Sequence, residues 1–274
     1  MTYAHALILG IIQGLTEFIP VSSSGHLVLA QQFFGLKENM LYFDIFVHAG
    51  TLPAVIIVFR KSIAKLITGC YMDIRSLSKG NSSIKNVFKN SHDIRLLIAL
   101  TVGTLPAVIA GLTMKDAIEA LFQSTYAVFA ALSGTGLILS ATFFVKKGKK
   151  HISPVTGFLV GAVQALAIIP GISRSGSTIS TALFCGIKRE DAGEFSFLLS
   201  IPVIAGTALF AIKDNAGAGF SSIALGPCLV GAFAAFLTGW GALVVLMRIV
   251  KRGKIGYFGL YCFVVVLAGV LIHV

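Results

Sequence analysis

The chain has 274 residues, of which 56% are hydrophobic and 12% are charged, and its formal net charge is +11. Soluble domains average about 25% charged residues, so this composition excludes an ordinary soluble fold. The basic residues sit at the ends of apolar runs, a distribution that sets orientation and contact with anionic lipids, and nucleic-acid binding is not expected. The sequence therefore predicts an all-α polytopic membrane protein.

In chain order, the first predicted element is a broken helical segment, residues 1–36, in which an apolar run stops at Pro20. Three apolar runs follow that are long enough to cross about 30 Å of hydrocarbon as helices, at 41–59, 94–114 and 123–145. The stretch from Arg60 to Arg95 is polar and basic, and it is predicted to be a long loop.

The second half begins with another broken segment, residues 154–187, and continues with predicted spans at 195–212, 223–247 and 255–273. Gln13 and Gly25 align without gaps with Gln164 and Gly176, 151 positions later. The arms of each broken segment are too short to cross a membrane comfortably, so both segments are predicted to be re-entrant hairpins. Six transmembrane helices and two hairpins then form a single membrane domain, 1–274, with repeats of about 1–145 and 152–274.

The basic clusters predict how the two repeats are oriented. Four clusters should be cytoplasmic, at Arg60–Arg95, Lys146–Lys150, Lys188–Arg189 and Arg248–Lys254. The loops around Lys115–Gln123 and Lys213–Ser222 carry few basic residues and are predicted to lie outside. The two hairpins then enter from opposite sides of the membrane, which makes the halves inverted repeats whose tips meet near the midplane.

The second break, PGISRSGST at Pro170–Thr178, is interpreted as an oxyanion cradle. Ser173 is a good N-cap residue, and a helix that starts there presents free N–H groups that suit phosphate. Arg174 adds a permanently charged guanidinium that can bind phosphate oxygens through two parallel hydrogen bonds. Ser175 and Thr178 are predicted to donate further hydrogen bonds.

The first break supplies reactive groups in a sequence that is too polar for contact with lipid. Ser23 and His26 are three residues apart and are predicted to lie on one face of the helix that follows. With Glu17 nearby, Ser23 is predicted to act as an activated nucleophile or to position a water molecule. Gln13, one helical turn before Glu17, is predicted to orient this carboxylate or to contact a metal ion.

The predicted substrate-binding set also contains Ser22, Ser24, Gln164 and Gly176. Serines at helix contacts are often packing residues, and Ser22 and Ser24 are individually better explained in that way. Glu17 and Arg174 have an alternative interpretation as a buried ion pair that closes the interface between the repeats. Three further polar residues are left open between structural and functional roles: Asp44, His48 and Glu194.

The segments GLTEFIPVSSSGH (Gly14–His26) and PGISRSGST together resemble the bacitracin-resistance family of undecaprenyl-diphosphatases. FDIFVHAGTLPAV (Phe43–Val55) and EFSFLLSIP (Glu194–Pro202) are similar to the same family, so the resemblance extends over essentially the whole chain. Many members of the family begin the pattern (E/Q)xxxE with glutamate, whereas this chain has Gln13 at that position.

The resemblance implies hydrolysis of undecaprenyl diphosphate to undecaprenyl phosphate and inorganic phosphate, which recycles the lipid carrier of cell-wall synthesis and confers bacitracin resistance. It implies an active site that opens to the outer face of the bacterial inner membrane, with the lipid substrate and membrane lipids as partners. A divalent cation, Mg²⁺ or Ca²⁺, is implied as cofactor, with Glu17 as its candidate ligand. A homodimer is left open. The implied site residues are Glu17, Ser23, His26, Ser173, Arg174 and Thr178.

Other functions remain open from the residues alone. A transporter or polyprenyl-phosphate flippase would share the inverted repeats and the headgroup site near the midplane, although it would not need a serine, a histidine and a glutamate opposite an arginine. The lipid phosphatases of the acid-phosphatase type have an element similar to SSSGH. They also need a Lys-x₆-Arg-Pro stretch, which this sequence lacks.

Overall fold

A computed structural model describes residues 1–36, 40–79, 83–114, 121, 124–215 and 225–273. Within these ranges the regular structure is helical, apart from one isolated bridge between Lys150 and Ile187. The predicted outer loops, Lys115–Gln123 and Lys213–Ser222, lie mostly outside the described residues.

The described part of the first half contains six α-helices and one short 3₁₀-helix. These are α1 (Tyr3–Phe18), α2 (Ser23–Phe33), α3 (Leu41–Ser78), α4 (Ile84–Asn90), α5 (His92–Thr113), α6 (Thr125–Ala141) and the 3₁₀-helix Thr142–Phe144. The described part of the second half contains five α-helices. These are α7 (Pro154–Leu166), α8 (Arg174–Phe184), α9 (Arg189–Asn215), α10 (Leu225–Lys251) and α11 (Tyr257–His273).

Five helices of the described ranges, α3, α5, α6, α9 and α10, are long and apolar enough to cross a membrane. This result confirms the prediction of an all-α polytopic membrane protein. The sixth predicted span, 255–273, forms α11, an apolar helix of 17 residues. At about 25 Å this helix is shorter than the hydrocarbon layer of about 30 Å.

The predicted long loop from Arg60 to Arg95 is wrong, because α3 continues without interruption for 38 residues. Its basic side chains Lys61 and Lys65 are exposed, whereas Leu66 and Cys70 pack against α4 and the start of α5. The second part of α3 therefore packs one side against α4 and α5, while its other side exposes both basic side chains and apolar ones such as Ile67 and Met72. The charges that favoured a loop occupy its outer face.

Several helix crossings join the halves, and at two of them a glycine of the sequence repeat lies against the backbone of the other half. A Cβ atom on Gly10 would overlap the backbone of Gly231 in α10, and one on Gly161 would overlap the backbone of Gly103 in α5. Gly10 and Gly161 are aligned by the sequence repeat. Small residues let apolar helices approach closely. The first helix of each broken segment, α1 or α7, therefore packs against a long helix of the opposite half.

The variant Gly161→Ala is expected to lose about 1–3 kcal/mol of stability, because the added methyl group has to separate the backbones of α7 and α5. Thermal unfolding of the purified protein in detergent measures this loss. Gly241→Ala is the matched control, since a Cβ at Gly241 in α10 meets no atom within 4 Å. Equal midpoints of thermal unfolding for the two variants would contradict the close contact between α7 and α5 at Gly161.

Candidate active site

The first break lies between α1 and α2. Ser22 has a φ of +69°, a conformation that few residues other than glycine adopt. Its Oγ accepts a hydrogen bond from the backbone N–H of Gly25 (3.3 Å), which caps α2. The same oxygen accepts a hydrogen bond from the N–H of Gly171 in the second break (3.2 Å). Ser22 therefore fixes the start of α2 and links the two breaks.

The second break lies between α7 and α8, and Ser173 caps α8 as predicted. Its Oγ accepts a hydrogen bond from the N–H of Gly176 (3.1 Å). The N–H of Ser173 donates to Oγ1 of Thr135 in α6 (3.0 Å), and that hydroxyl donates to the carbonyl oxygen of Gly171 (2.8 Å). Thr135, which the sequence does not single out, therefore holds two points of this break.

The two breaks lie side by side. A Cβ atom on Gly25 would lie 3.3 Å from the Cα atom of Gly171. Arg174 donates through Nη2 to Oε1 of Glu17 at 2.5 Å, although the two residues are 157 positions apart in the chain. The arginine of the predicted cradle and the carboxylate of the reactive group therefore belong to one site.

Glu17 is the centre of the hydrogen-bond network. Its Oε2 accepts hydrogen bonds from the hydroxyl of Ser23 (2.6 Å) and from Nε2 of Gln13 (3.0 Å), while Oε1 accepts from Arg174. The side chain of Glu17 is 6% exposed and that of Arg174 is 14% exposed. The guanidinium compensates for burial of the carboxylate charge. Gln13 therefore orients the carboxylate, which is one of the two roles predicted for it.

His48, which the sequence leaves unassigned, lies at this site. Its Nε2 is 3.7 Å from Oε2 of Glu17, and its side chain is 34% exposed. Its Nδ1 donates to the carbonyl oxygen of Asp44 (2.7 Å), which fixes the ring. The carboxylate of Asp44 in turn accepts a hydrogen bond from Nε2 of Gln31 (2.7 Å). The start of α3 therefore forms one wall of the site.

His26 is not hydrogen-bonded to Ser23, although the two residues are only three positions apart. Its Nδ1 donates to the carbonyl oxygen of Ser22 (2.8 Å), and its Nε2 lies 3.0 Å from the hydroxyl oxygen of Tyr261 in α11. The hydroxyl of Ser23 is directed at Glu17 instead. The imidazole and the carboxylate therefore occupy separate positions around the first break.

Several predicted substrate-binding residues are enclosed by protein. Ser175, Thr178 and Gln164 are each no more than 2% exposed. The hydroxyl of Thr178 donates to the carbonyl oxygen of Arg174 (2.8 Å) and lies 2.6 Å from Oγ of Ser196, so it ties α8 to α9. Further pairs engage the other hydroxyls, namely Ser173 with Ser175 (3.4 Å) and Ser22 with Ser24 (3.3 Å). These hydroxyls are held within the protein, and they do not point freely into a cradle.

Two polar atoms of the network have unused hydrogen-bonding capacity. Among the described residues, Nη1 of Arg174 and Oε1 of Gln13 are buried and have no hydrogen-bond partner. A buried polar atom without a partner is unfavourable, so each is suited to bind a ligand. Nη1 belongs to the guanidinium that already contacts Glu17 through Nη2. An anion placed there would bind beside the Ser23–Glu17 pair.

The donor set does not fit a divalent metal site formed by the protein alone. In the described ranges, no group of three or more histidine, cysteine, aspartate or glutamate side chains could hold an ion. Glu17, the candidate ligand, already accepts hydrogen bonds on both oxygens, one of them from the positive Arg174. Mg²⁺ binds in proteins through one or two carboxylates together with waters and substrate phosphates, and the one carboxylate at the centre of this site already has hydrogen-bond donors on both oxygens.

Three of the residues that build the site lie outside the two sequence motifs: Thr135, His48 and Tyr261. His48 had a usable signal, because an ionisable side chain inside an apolar run is a functional candidate by default. Thr135 and Tyr261 had none, since hydroxyl-bearing residues are common in apolar helices. Only the packing of α6 and α11 brings them to the two breaks.

A cluster of polar side chains lies between apolar helices, and a buried arginine is hydrogen-bonded there to a carboxylate that also accepts from a serine. Ionisable groups in this setting are typical of membrane proteins that handle a charged ligand. The family model for "Bacitracin resistance protein BacA" matches residues 6–268. The chain belongs to this family.

Curated relatives cover nearly the whole chain and carry one name. A protein of Desulforapulum autotrophicum is 42% identical over 276 residues, which is 99% of this chain and 98% of the relative. A protein of Carboxydothermus hydrogenoformans is 42% identical over 96% of this chain and 95% of its own length. A protein of Korarchaeum cryptofilum is 40% identical over 98% of both chains. Each of the three is named undecaprenyl-diphosphatase.

Proposed function

We propose that this protein is an enzyme that hydrolyses undecaprenyl diphosphate to undecaprenyl phosphate and inorganic phosphate. The observation that carries the proposal is the hydrogen bond from Ser23 to Glu17 beside Arg174, in a chain whose relatives bear the name of this activity. Release of the terminal phosphate would recycle the lipid carrier for cell-wall synthesis and confer resistance to bacitracin.

The substrate's terminal phosphate binds to the unpaired Nη1 of Arg174 in this proposal. Arg174 is the first residue of α8, so the partial positive charge of that helix start acts on the same phosphate. Phosphoryl transfer depends mainly on positioning and on neutralisation of charge. Arg174 serves both needs, because its other amino group is held by Glu17 and its position is therefore fixed.

Ser23 is the nucleophile of the first step. Its hydroxyl already donates to Glu17 at 2.6 Å, so the carboxylate is placed to take the proton as Oγ forms a bond to the terminal phosphorus. The bond between that phosphorus and the bridging oxygen breaks, and undecaprenyl phosphate leaves with the bonding electrons. The products of this step are a phosphoserine and a protonated Glu17.

His26 serves the second step, in which water removes the phosphate from Ser23. Because Nδ1 donates to the carbonyl oxygen of Ser22, the neutral ring presents the lone pair of Nε2. Nε2 takes a proton from water while the water oxygen bonds to phosphorus and the bond from phosphorus to Oγ of Ser23 breaks. Oγ recovers its proton from Glu17, and the imidazolium gives its extra proton to the departing inorganic phosphate. This assignment gives the two acid–base groups different steps, in keeping with their separate positions.

The cation expected from the sequence is assigned no step, since the protein's donor set does not fit one. We assign Mg²⁺ or Ca²⁺ to the diphosphate of the substrate itself, where phosphate oxygens provide the ligands that the protein lacks.

We further infer that the pocket lies between two re-entrant hairpins and opens to the outer face of the bacterial inner membrane. The matched crossings of α1 with α10 and of α7 with α5 support inverted repeats of about 1–145 and 152–274. In this arrangement α11 is the sixth span. The exposed lysines of α3 and the segment Lys146–Lys150 support a cytoplasmic location for those ends.

The test is an assay of phosphate release from purified protein and a long-chain polyprenyl diphosphate, in detergent and without an ion gradient. Steady release of phosphate that exceeds the protein concentration is expected. If proteoliposomes instead carry the lipid headgroup across the bilayer and release no phosphate, the protein is the flippase that the sequence also allowed.

A further inference from the structure

The ring of His26 is held by a residue that neither motif contains. Tyr261 lies in α11, 235 positions along the chain from His26, and its hydroxyl oxygen is 3.0 Å from Nε2. The two rings are also stacked, with centroids 5.7 Å apart and planes inclined by 11°. Both a hydrogen bond and a ring face therefore fix the imidazole from the side of α11.

The hydrogen-bond partners of His26 determine which of its two ring nitrogens carries the hydrogen. A carbonyl oxygen can only accept, so Nδ1 carries the hydrogen that it donates to Ser22. In the neutral ring Nε2 is then an acceptor, and the hydroxyl of Tyr261 is its donor. The lone pair of Nε2 is thus directed at the hydroxyl of Tyr261, and contacts at both nitrogens fix the orientation of the ring.

Tyr261 is placed so that this hydrogen bond is favourable. Its side chain is 45% exposed in α11, an apolar helix whose outer side chains Val264 and Leu267 are more than 60% exposed. A tyrosine hydroxyl in apolar surroundings usually finds a hydrogen-bond partner. Among the described residues, Nε2 of His26 is the only hydrogen-bond acceptor for the hydroxyl of Tyr261.

We propose that Tyr261 is a positioning residue for His26. Its hydroxyl holds the imidazole in the orientation that the hydrolytic step requires of Nε2. This inference rests on the proposed function. In the resting protein the hydroxyl of Tyr261 donates to Nε2, and it gives up this hydrogen bond to the attacking water once phosphate is bound to Ser23. Loss of the hydroxyl leaves the ring held only by Ser22 and by stacking, so its orientation is less well defined; removal of phosphate from Ser23 then slows while attack by Ser23 does not.

The variant Tyr261→Phe keeps the stacked ring and removes only the hydroxyl. Its turnover number is expected to fall by about 10-fold to 10²-fold, with little change in KM, because the step that His26 serves becomes limiting. Phosphoserine should then accumulate on acid quenching. Tyr257→Phe is the control, since Tyr257 is in the same helix and its ring contacts Phe143.

A second readout is independent of turnover. In protein with nitrogen-15-labelled histidine, the Nε2 resonance of His26, assigned with His26→Gln, should move in Tyr261→Phe and stay unchanged in Tyr257→Phe. Normal turnover in Tyr261→Phe, or lower turnover without accumulated phosphoserine, would overturn the inference. If the wild-type protein releases no phosphate, the proposed function fails, whereas an unmoved Nε2 resonance shows directly that Tyr261 does not hold the ring.

Discussion

Replacement of Arg174 by alanine is expected to lower the turnover number for lipid diphosphate hydrolysis by about 10³-fold to 10⁵-fold. The unpaired Nη1 would be lost at the position where we propose that the terminal phosphate binds. Arg174→Lys is also expected to be impaired, because one ammonium group cannot contact Glu17 and a phosphate with the fixed fork of a guanidinium. Phosphate release by the purified variants measures both effects.

Folding has to be separated from catalysis in this experiment. Arg174→Ala leaves the buried carboxylate of Glu17 without its partner, which can cost about 3–5 kcal/mol. Arg174→Lys retains a positive charge and serves as the folded comparison, and Arg248→Ala at the end of α10 controls for loss of an arginine elsewhere. If Arg174→Ala retained a turnover close to that of the wild type, the Glu17–Arg174 pair would be a structural ion pair with no part in catalysis.

Replacement of Ser23 by alanine is expected to lower turnover by about 10³-fold or more, because the proposed reaction has no other nucleophile of the protein at phosphorus. The substitution removes one donor from Oε2 of Glu17 and leaves those from Gln13 and Arg174 in place. Protein stability should therefore change little. Phosphate release and thermal unfolding of the same preparation measure the two quantities.

Ser133→Ala is a suitable control for this variant. Ser133 lies in α6, and its hydroxyl donates to the carbonyl oxygen of Phe129 one turn earlier, so it represents an ordinary serine of an apolar helix. We expect it to retain wild-type turnover. A fully active Ser23→Ala variant would leave only a mechanism in which water attacks the substrate directly.

Much of the site was predictable because local chemistry decides it. Serine before a new helix turn caps it, and both Ser22 and Ser173 do so. The repeat of Gln13 at Gln164 indicated two related breaks, and a lone buried carboxylate needs a lone buried arginine. The contact between Glu17 and Arg174 follows from these two facts together.

The prediction of a loop after Arg60 is wrong because a run of charges favours a loop, whereas these charges lie on the exposed side of a continuous helix. For Ser23 and His26 the sequence predicts a shared helix face and does not determine their hydrogen-bond partners. The turn that begins α2 places the carbonyl oxygen of Ser22 within reach of the imidazole, and Ser23 bonds to Glu17, which precedes the break.

Two site residues could not be identified from the sequence, whereas His48 was left open there as a candidate. Thr135 lies in the apolar run of α6 and Tyr261 in that of α11, where no local pattern distinguishes a site residue from a packing residue. Their positions depend on the crossing of helices that are distant in the chain. A single sequence contains no direct record of such contacts.

The most direct test of the proposed chemistry is a rapid-quench experiment with substrate labelled on its terminal phosphate. We predict that labelled phosphate is found on Ser23 before it appears in solution, and that in His26→Ala it accumulates towards about one per protein molecule. Peptide mapping locates the label. Label that passes directly to inorganic phosphate in both proteins, with none bound to Ser23, would contradict attack by this serine and the pairing with Glu17 on which it depends.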